Sequence, residues 1–471
     1  MQFVIVGFGV AGFWALKTLL KEHNEIQKIK VTVISEEPTQ TYYKCLLSDY
    51  ISQKQPLYNL SVSEPLINDE HVNFMWGKKV VSLDADSRIL HLDSGETVRY
   101  DNLLLSSGLR CAGDSVTDKK INGIFKLNNL RDAKDISSYL DADCRKAVVL
   151  GENIFGFEMA RALLNAKKQV SMICEGEYVA QYLFDKETAS LVSSQLPDNL
   201  ELLMNAKLTR IIDKNGKVAG LELADGRLIE TDFVGICDPL IPGTDFIDAG
   251  CLDHNGKILV NEQMMTEIPN VFAAGDLTCM CHEPHEFSYG WRRALFQGQV
   301  AARSMLGIPS YYSLAPSLRI QIFGYPVILI GMPPVMLTGE NTYPIEYSDN
   351  LKKIKKRVVV QDGQLIGAVI CGNMDKISVI EELIQEGAIY DSQELTSFIE
   401  YLQPYTRNNG NPLERCCPVC KSVIDFSASV DCGTLFSCPV CAETLRIENT
   451  FRYARDLVVH HAMDNDDKIK I

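Results

Sequence analysis

The sequence predicts an α/β protein with two three-layer halves built on parallel sheets, followed by an α+β sheet domain and a small cysteine-rich module. A glycine turn between an apolar strand and a helix occurs at Gly7–Gly12 and again at Gly151–Gly156, which predicts the two halves. Two Cys-Pro-Val-Cys sequences, at 417–420 and 438–441, predict the module. A chain of 471 residues is long enough for two to four domains.

The charge balance, the apolar runs and the cysteine count of the chain exclude some classes of function. The chain has 46 basic and 61 acidic residues and a net charge of -15, which argues against nucleic acid and anionic membranes as partners. No apolar run is long enough to span a bilayer, and the N-terminus enters a strand directly, without a signal peptide. We therefore expect a cytoplasmic protein, in which the fifteen cysteines serve metal or redox chemistry rather than disulfides.

The first glycine turn has the pattern of a dinucleotide-binding site. Residues 3–6 are apolar strand formers, the next six read Gly-x-Gly-x-x-Gly, and helical spacing follows. The first glycine permits the tight turn, the second lets a pyrophosphate approach the backbone, and the third lets the helix pack against the strand. N–H groups at the helix start favour an anion. The candidate phosphate-binding residues are Gly7, Gly9, Val10, Ala11 and Gly12.

The second strand of this half, at 30–35, ends in Glu36 and Glu37. An acidic side chain at this position accepts hydrogen bonds from a ribose hydroxyl in dinucleotide-binding folds. Either glutamate is a candidate for that role.

The segment 42–48, Tyr-Tyr-Lys-Cys-Leu-Leu-Ser, resembles the Tyr-Tyr-Arg-Pro-Leu-Leu-Ser segment of FAD-dependent pyridine nucleotide-disulfide oxidoreductases. The resemblance is to NADH:rubredoxin reductases and to the flavin part of NADH-dependent nitrite reductases. It implies that Lys44 lies at the cofactor. In related coenzyme A-disulfide and persulfide reductases, a redox cysteine stands at the position of Cys45. A neighbouring cation would activate its thiolate; alternatively, Cys45 is a small buried residue that fills the space of a proline.

Four further segments match the same family in the same order. Residues 77–81 resemble the strand whose backbone meets the adenine, through Val80, and 100–108 resembles the segment that closes the first half. Residues 266–276 end in Gly-Asp, and the resemblance implies that this aspartate meets the ribityl chain of FAD. The helix start at 290–298 resembles the one that packs beside the flavin. The implied cofactor residues in these segments are Val80, Ser107, Gly108, Gly275 and Asp276.

The second glycine turn resembles the NAD-binding half of the family, with one departure. Gly151 and Gly156 match the first and third glycines, but Asn153 replaces the middle one. Its side chain would crowd the pyrophosphate, so dinucleotide binding here is either weakened or lost. Glu158 matches the glutamate that lies near the nicotinamide.

The strand at 170–175 bears on the choice of nucleotide. Cys174 stands where the family has its ribose-binding acid, and Glu175 stands one residue later, where a basic residue is common. A carboxylate there would repel a 2′-phosphate, which favours NADH over NADPH. The family's glycine at the strand that returns to the flavin half is replaced near Cys237.

Two cysteine-containing segments are candidates for metal binding. In the loop 279–285, Cys279, Cys281, His282 and His285 could bind a metal, act as redox thiols or belong to an ordinary loop. The paired motifs nearer the C-terminus are more specific, because each supplies two thiolates to a tetrahedral ion. The module resembles zinc ribbons and, more loosely, rubredoxin; Zn²⁺ is expected and Fe is the alternative. Its ligands are Cys417, Cys420, Cys438 and Cys441.

The predicted domain boundaries follow the resemblance. They are 1–110 and 233–312 for the two parts of the FAD-binding domain, 111–232 for the NAD-binding domain, 313–405 for an α+β dimerisation-type domain, and 412–450 for the metal ribbon.

The resemblance implies an FAD-dependent oxidoreductase that takes hydride from NAD(P)H and passes electrons to a protein acceptor such as a rubredoxin-like carrier. Two alternatives stay open. One is a thiol, disulfide or persulfide reductase that uses Cys45. The other is a flavin subunit that receives electrons from a partner and docks through the metal ribbon. A homodimer is an expectation from the family.

Overall fold

The computed structural model describes residues 1–22, 29–53, 56–62, 67, 69–112, 121–140, 144–280, 289–332, 341–372 and 377–387, and five strands between 415 and 461. These residues form two compact units, one from Met1 to Gly324 and one from Tyr325 onward. Within the described residues, no helix has the length and apolar character needed to cross a membrane.

The helices of the described residues are α1 (Val10–Glu22), α2 (Leu47–Ile51), α3 (Leu130–Leu140), α4 (Ile154–Asn165), α5 (Lys186–Ser193), α6 (Trp291–Met305) and α7 (Ile377–Glu386). A 3₁₀ turn, Lys44–Leu46, leads directly into α2.

The strands of the first unit, in chain order, are β1 (Gln2–Val6), β2 (Lys30–Ser35), β3 (Val72–Trp76), β4 (Val80–Asp84), β5 (Ile89–Leu92), β6 (Thr97–Arg99), β7 (Asn102–Leu105), β8 (Leu109–Cys111), β9 (Ile124–Phe125), β10 (Lys146–Leu150), β11 (Gln169–Ile173), β12 (Leu200–Leu203), β13 (Leu208–Lys214), β14 (Lys217–Leu223), β15 (Leu228–Glu230), β16 (Phe233–Ile236), β17 (Leu240–Pro242), β18 (Ile258–Val260), β19 (Val271–Ala273), β20 (Thr278–Met280) and β21 (Ser317–Ile322).

The strands of the second unit are β22 (Tyr325–Gly331), β23 (Thr342–Asp349), β24 (Ile354–Gln361), β25 (Gln364–Cys371), β26 (Arg415–Cys416), β27 (Val423–Ile424), β28 (Leu435–Ser437), β29 (Thr444–Phe451) and β30 (Ala454–His461).

The first sheet confirms the first predicted half. Its strands are parallel and lie in the order β3-β2-β1-β7-β19, so that Phe3 pairs with Val31 on one side and with Asn102 on the other. Phe3, Val4 and Ile5 are fully buried, as expected for a central parallel strand covered on both faces. Strand β1 therefore delivers its C-terminal end, and the glycine turn that follows it, to the edge where ligands bind in such sheets.

The second sheet repeats this order as β12-β11-β10-β16-β9, again with parallel strands. Strand β10 is central and leads into the second glycine turn. Because β16 belongs to this sheet, the chain returns to the first half only after Ile236, a few residues beyond the expected boundary at 232/233. The antiparallel pair β8 and β17 accompanies the two connections between the halves.

The second unit contains an antiparallel sheet in which β22, β25, β24 and β23 are neighbours in that order. Asp362 and Gly363 form the hairpin loop that connects β24 to β25, and both have positive φ, 50° and 81°. Positive φ at both positions is the requirement of a type I′ turn. Further along, β26 pairs with β27, and β28, β29 and β30 form a separate antiparallel sheet.

Candidate flavin and nucleotide site

The first glycine turn has the geometry that its sequence predicts. Gly7 has φ +90°, and a Cβ atom there would lie 2.5 Å from the Ser106 carbonyl oxygen. A Cβ on Gly12 would lie 2.2 Å from the Gly7 carbonyl oxygen. A Cβ on Gly9 would meet no atom within 4 Å. The first and third glycines are thus required by the fold, whereas the second leaves open space above the backbone, where a phosphate would approach.

The start of α1 also offers hydrogen-bond donors. Among the described residues, no acceptor bonds to the backbone N–H groups of Ala11 and Gly12, although Phe13 N–H donates to the Gly9 carbonyl at 2.9 Å. Free N–H groups at a helix start, beside an open glycine, form an anion site. The residues present therefore fit the pyrophosphate of a dinucleotide.

Two buried hydroxyl side chains hold this turn in place. Ser106 Oγ donates to the carbonyl oxygens of Val6, at 3.0 Å, and Gly7, at 2.9 Å. Thr41 Oγ1 donates to the Phe8 carbonyl at 2.5 Å. The sequence analysis did not single out these residues, because small hydroxyl residues beside a strand carry no distinctive pattern.

The two candidate ribose-binding glutamates have different surroundings. Both carboxylate oxygens of Glu37 are engaged, one by Lys44 Nζ at 2.9 Å and the other by the Tyr42 hydroxyl at 2.5 Å. The Glu36 side chain is 64% exposed, and its carboxylate lies 3.8 Å from Lys79 Nζ. Glu36 is therefore the one with a carboxylate available to a ligand.

The Gly275-Asp276 pair follows β19, next to the first turn. Gly275 has φ +97°, and its N–H donates to the buried Gln297 Oε1 at 2.8 Å. The Asp276 carboxylate accepts from Gly290 N–H at 2.8 Å. Burial raises the pKa of Asp276, while the Gly290 N–H and the charges of Arg293 and Lys257 oppose this rise.

Two buried basic residues, Lys257 and Arg293, lie near Asp276 and are 6% and 5% exposed. Burial is the main cause that lowers the pKa of Lys257, and the Arg293 charge adds to it. The sequence analysis missed both residues, since a lysine before a short strand has no motif. The segment 42–48 is tied to the same region by Tyr43, whose ring stacks on Trp291 at a centroid distance of 4.7 Å.

Cys45 lies in the 3₁₀ turn before α2 and is solvent-exposed. Desolvation by surrounding protein, followed by the Glu158 charge, raises its pKa to about 11. This direction is opposite to the activation that a neighbouring cation would give, and the Lys44 ammonium pairs with Glu37 at 2.9 Å.

Glu158 belongs to a network that joins α4 to α2. Arg161 donates to Asp49 Oδ1 at 2.6 Å and to Glu158 Oε2 at 2.5 Å. Its guanidinium also donates to Ser48 Oγ at 2.5 Å, and Ser48 in turn donates to Glu158. The side chains of Arg161, Asp49 and Glu158 are each about one-fifth exposed. The resemblance points to Glu158 but not to Arg161, whose i,i+3 spacing from Glu158 on the same helix is the signal that the sequence offers for this pair.

In the second glycine turn, the Asn153 side chain accepts the hydrogen bonds of the backbone N–H groups. Gly151 has φ +108°, and a Cβ on Gly156 would lie 1.9 Å from the Gly151 carbonyl oxygen, so these two glycines match Gly7 and Gly12. Asn153 is 5% exposed. Its Oδ1 accepts from the N–H groups of Phe155, at 3.0 Å, and Gly156, at 3.1 Å.

Acidic and thiol groups surround this turn. Cys174 is fully buried, and burial together with the Glu152 charge raises the pKa of its thiol. The Glu152 carboxylate accepts from Ala180 N–H at 2.7 Å, and burial raises its pKa. Glu175 is exposed at the end of β11. Cys174 thus has no contact with solvent, whereas Glu175 is exposed to it.

The other predicted site residues are placed as follows. Val80 is buried at the start of β4, and Ser107 Oγ donates to the Gly243 carbonyl at 2.6 Å. Gly108 has φ +71°, and its carbonyl accepts from Gly243 N–H at 2.9 Å. Ser107 and Gly108 therefore contact the returning chain, and Ser106 contacts the first turn.

The metal predictions lie mostly beyond what the structure describes. Cys279 is buried in β20, but Cys281, His282 and His285 fall outside the described residues, as do Cys417, Cys420, Cys438 and Cys441. Within the described ranges, no cluster of three or more histidine, cysteine or acidic side chains could hold a metal ion.

Two parallel sheets, each with a glycine turn at the end of its central strand, define a protein with two dinucleotide-binding folds. Residues 1–303 match the family model described as pyridine nucleotide-disulphide oxidoreductase, and the chain belongs to this family. The resemblance and the fold class predicted from the sequence are confirmed. FAD and NAD(P)H are typical of the family.

Individual relatives are distant. The chain is 28% identical over 423 residues to nitrite reductase [NAD(P)H] of Bacillus subtilis, a match that covers 88% of this chain and 50% of that protein. It therefore spans about half the length of that relative. It is 25% identical to a rubredoxin-NAD(+) reductase of Pseudomonas putida, over 65% of this chain and 80% of that one. The structure of an NAD-dependent persulfide reductase from A. fulgidus superimposes with a TM-score of 0.72 at 21% identity, covering 83% of this chain and 77% of the other.

Proposed function

We propose that this chain is an FAD-dependent oxidoreductase that accepts hydride from NADH and passes the electrons to a small electron-carrier protein. The observation that carries the proposal is the geometry of the first glycine turn. A Cβ on Gly9 would meet no atom within 4 Å, and the N–H groups of Ala11 and Gly12 have no acceptor among the described residues. FAD, when bound, supplies the chemistry that converts a two-electron hydride into electrons for a carrier.

The residues of the first half divide the work of holding the flavin nucleotide. The turn from Gly7 to Gly12 binds the pyrophosphate, and Glu36 accepts the ribose hydroxyl. Asp276, fixed by the Gly290 N–H, receives the ribityl chain. Lys44, Lys257 and Arg293 add positive charge on the same side of the molecule.

The second half would bind the nicotinamide nucleotide. Glu158 orients the nicotinamide, held in position by Arg161 and Ser48. Glu175, exposed at the end of β11, repels the 2′-phosphate of NADPH, so NADH is the preferred donor.

A protein acceptor is supported by the names of the relatives, which include a rubredoxin-NAD(+) reductase. Steady-state oxidation of NADH with two acceptors, a rubredoxin and coenzyme A disulfide, tests it. Turnover with rubredoxin that survives the substitution Cys45→Ser supports the proposal. Turnover confined to the disulfide and lost in C45S would replace it with the thiol reductase.

The pKa of Cys45 gives a prediction that separates these functions further. We expect alkylation of Cys45 by iodoacetamide to be slow at pH 7 and to accelerate about tenfold per pH unit up to about pH 11, because only the thiolate reacts. Mass spectrometry of the labelled peptide measures the rate, with C45S as the blank. A rate that is already maximal near pH 7 would show an activated thiol and favour the disulfide reductase.

The C-terminal cysteine pairs are proposed to hold one Zn²⁺ in a ribbon, with Fe as the alternative. Metal analysis of the purified chain is expected to find about one zinc per chain and to find it lost in the variant with Cys438→Ser and Cys441→Ser. Iron with a rubredoxin-like visible spectrum would instead make the ribbon an electron carrier. Absence of any metal would contradict the assignment.

A further inference from the structure

The two glycine turns of this chain permit a direct comparison, position by position. Gly9 in the first turn corresponds to Asn153 in the second. The N–H groups that follow, on Ala11 and Gly12, correspond to those on Phe155 and Gly156. In the first turn the described residues leave these N–H groups without an acceptor, whereas in the second turn both donate to Asn153 Oδ1.

The asparagine side chain is held from its other end as well. Asn153 Nδ2 donates to the Cys237 carbonyl at 2.7 Å and lies 3.3 Å from Asp238 Oδ1. The four contacts bury the side chain against the end of β16. Asp238 also packs on the turn itself, because a Cβ on Gly151 would lie 2.6 Å from the Asp238 Cβ.

We propose that the Asn153 side chain is an internal competitor for the nucleotide pyrophosphate, so that this chain binds NAD(H) weakly unless Asn153 vacates the turn. The amide oxygen occupies the donors that a phosphate oxygen would take, and the amide nitrogen anchors it there. Asp238 adds a carboxylate beside the same place, which disfavours an anion. This inference rests on the proposed function, because it takes a nicotinamide nucleotide as the ligand of the second half.

The inference predicts that removing the competitor improves binding. In the variant Asn153→Gly, we expect the dissociation constant for NAD⁺, measured by calorimetry on the oxidised holoenzyme, to fall about tenfold or more. The melting temperature should stay level or fall slightly, since glycine is only a little worse than asparagine as a helix cap. A residue that merely capped the helix would not give tighter binding together with unchanged or lower stability.

A matched control is available in α5. Asp185 caps that helix in the same way, accepting from Glu187 N–H at 3.1 Å and Thr188 N–H at 3.0 Å. The variant Asp185→Gly should, for the same reason, lower the melting temperature only slightly, without changing the affinity for NAD⁺. Should N153G fold poorly, Asn153→Ala also removes the hydrogen bonds and is expected to tighten binding by a smaller factor. An affinity for NAD⁺ that is unchanged or weaker in both variants would overturn the inference and leave Asn153 as an ordinary cap.

Adding NADH to the same samples distinguishes a failure of the competitor inference from a failure of the proposed function. Tighter NAD⁺ binding in N153G, with no flavin reduction by NADH in either protein, would uphold the competitor and reject NADH as the electron donor. Rapid reduction of the wild-type flavin, with no gain of affinity in N153G, would reject the competitor and uphold the function.

Discussion

The variant Gly9→Asn is expected to fold and to be purified without flavin. An ideal Cβ at Gly9 meets no atom within 4 Å, and its φ is not in the left-handed region, so the apoprotein accommodates the side chain. The new side chain would take the N–H groups of Ala11 and Gly12, as Asn153 takes those of Phe155 and Gly156. We expect the FAD content to fall at least about tenfold, which corresponds to at least about 1.4 kcal/mol of binding free energy.

The absorbance of the flavin relative to protein measures this effect, and circular dichroism checks the fold. Gly216, in the turn that connects β13 to β14, supplies a control: a Cβ there also meets nothing, and although its φ is +76°, asparagine tolerates that region better than most residues. Gly216→Asn should retain a full complement of FAD. If G9N retained FAD with wild-type affinity, the first turn would not be the pyrophosphate site.

The variant Arg161→Met is expected to lower both the stability and the rate of flavin reduction. Arg161 lies between two carboxylates, Asp49 and Glu158, that are each about four-fifths buried. Its removal leaves them facing each other without a cation, and we expect the free energy of unfolding to fall by about 2 kcal/mol. Because Glu158 also loses the anchor that would hold it at the proposed nicotinamide position, we expect reduction by NADH to slow about tenfold.

Denaturant titration and stopped-flow absorbance measure the two effects. Arg210 supplies the control, since it pairs with Glu222 while its side chain is 70% exposed. The change Arg210→Met should cost less than about 0.5 kcal/mol and leave the rate unaltered. An R161M protein with wild-type stability and rate would show that the network has no role.

Features formed by residues that are close together in the chain could be predicted from the sequence, whereas contacts between distant residues could not. The glycine turns follow from local patterns, because strand, turn and helix are contiguous at Gly7–Gly12 and Gly151–Gly156. The order of the strands in each sheet does not, because it joins segments far apart in the chain. The replacement of the middle glycine by Asn153 is visible in the sequence. The bond of Asn153 to the Cys237 carbonyl, 84 residues away, is not, since it requires β10 and β16 to be neighbours.

The same reason explains the features that the sequence analysis missed. Arg161 meets Asp49 across 112 residues, which no spacing along the chain reveals. For Cys45 the sequence left two roles open, a thiolate activated by a neighbouring cation or a small buried residue in the place of a proline. In the folded chain Lys44 pairs with Glu37, and burial raises the pKa of the Cys45 thiol. The sequence shows that a cation, Lys44, lies next to Cys45. Only the folded chain shows that this cation pairs with Glu37.

The most direct test of the account is an anaerobic titration of the purified holoenzyme with NADH, monitored at the absorbance band of the flavin. The account predicts that the band bleaches and that the observed rate rises with NADH up to high concentrations, as expected for a weakly held nucleotide. Failure of NADH and NADPH to bleach the band at any concentration would contradict it. Electrons would then enter from a partner protein, and the second nucleotide fold would serve a structural role.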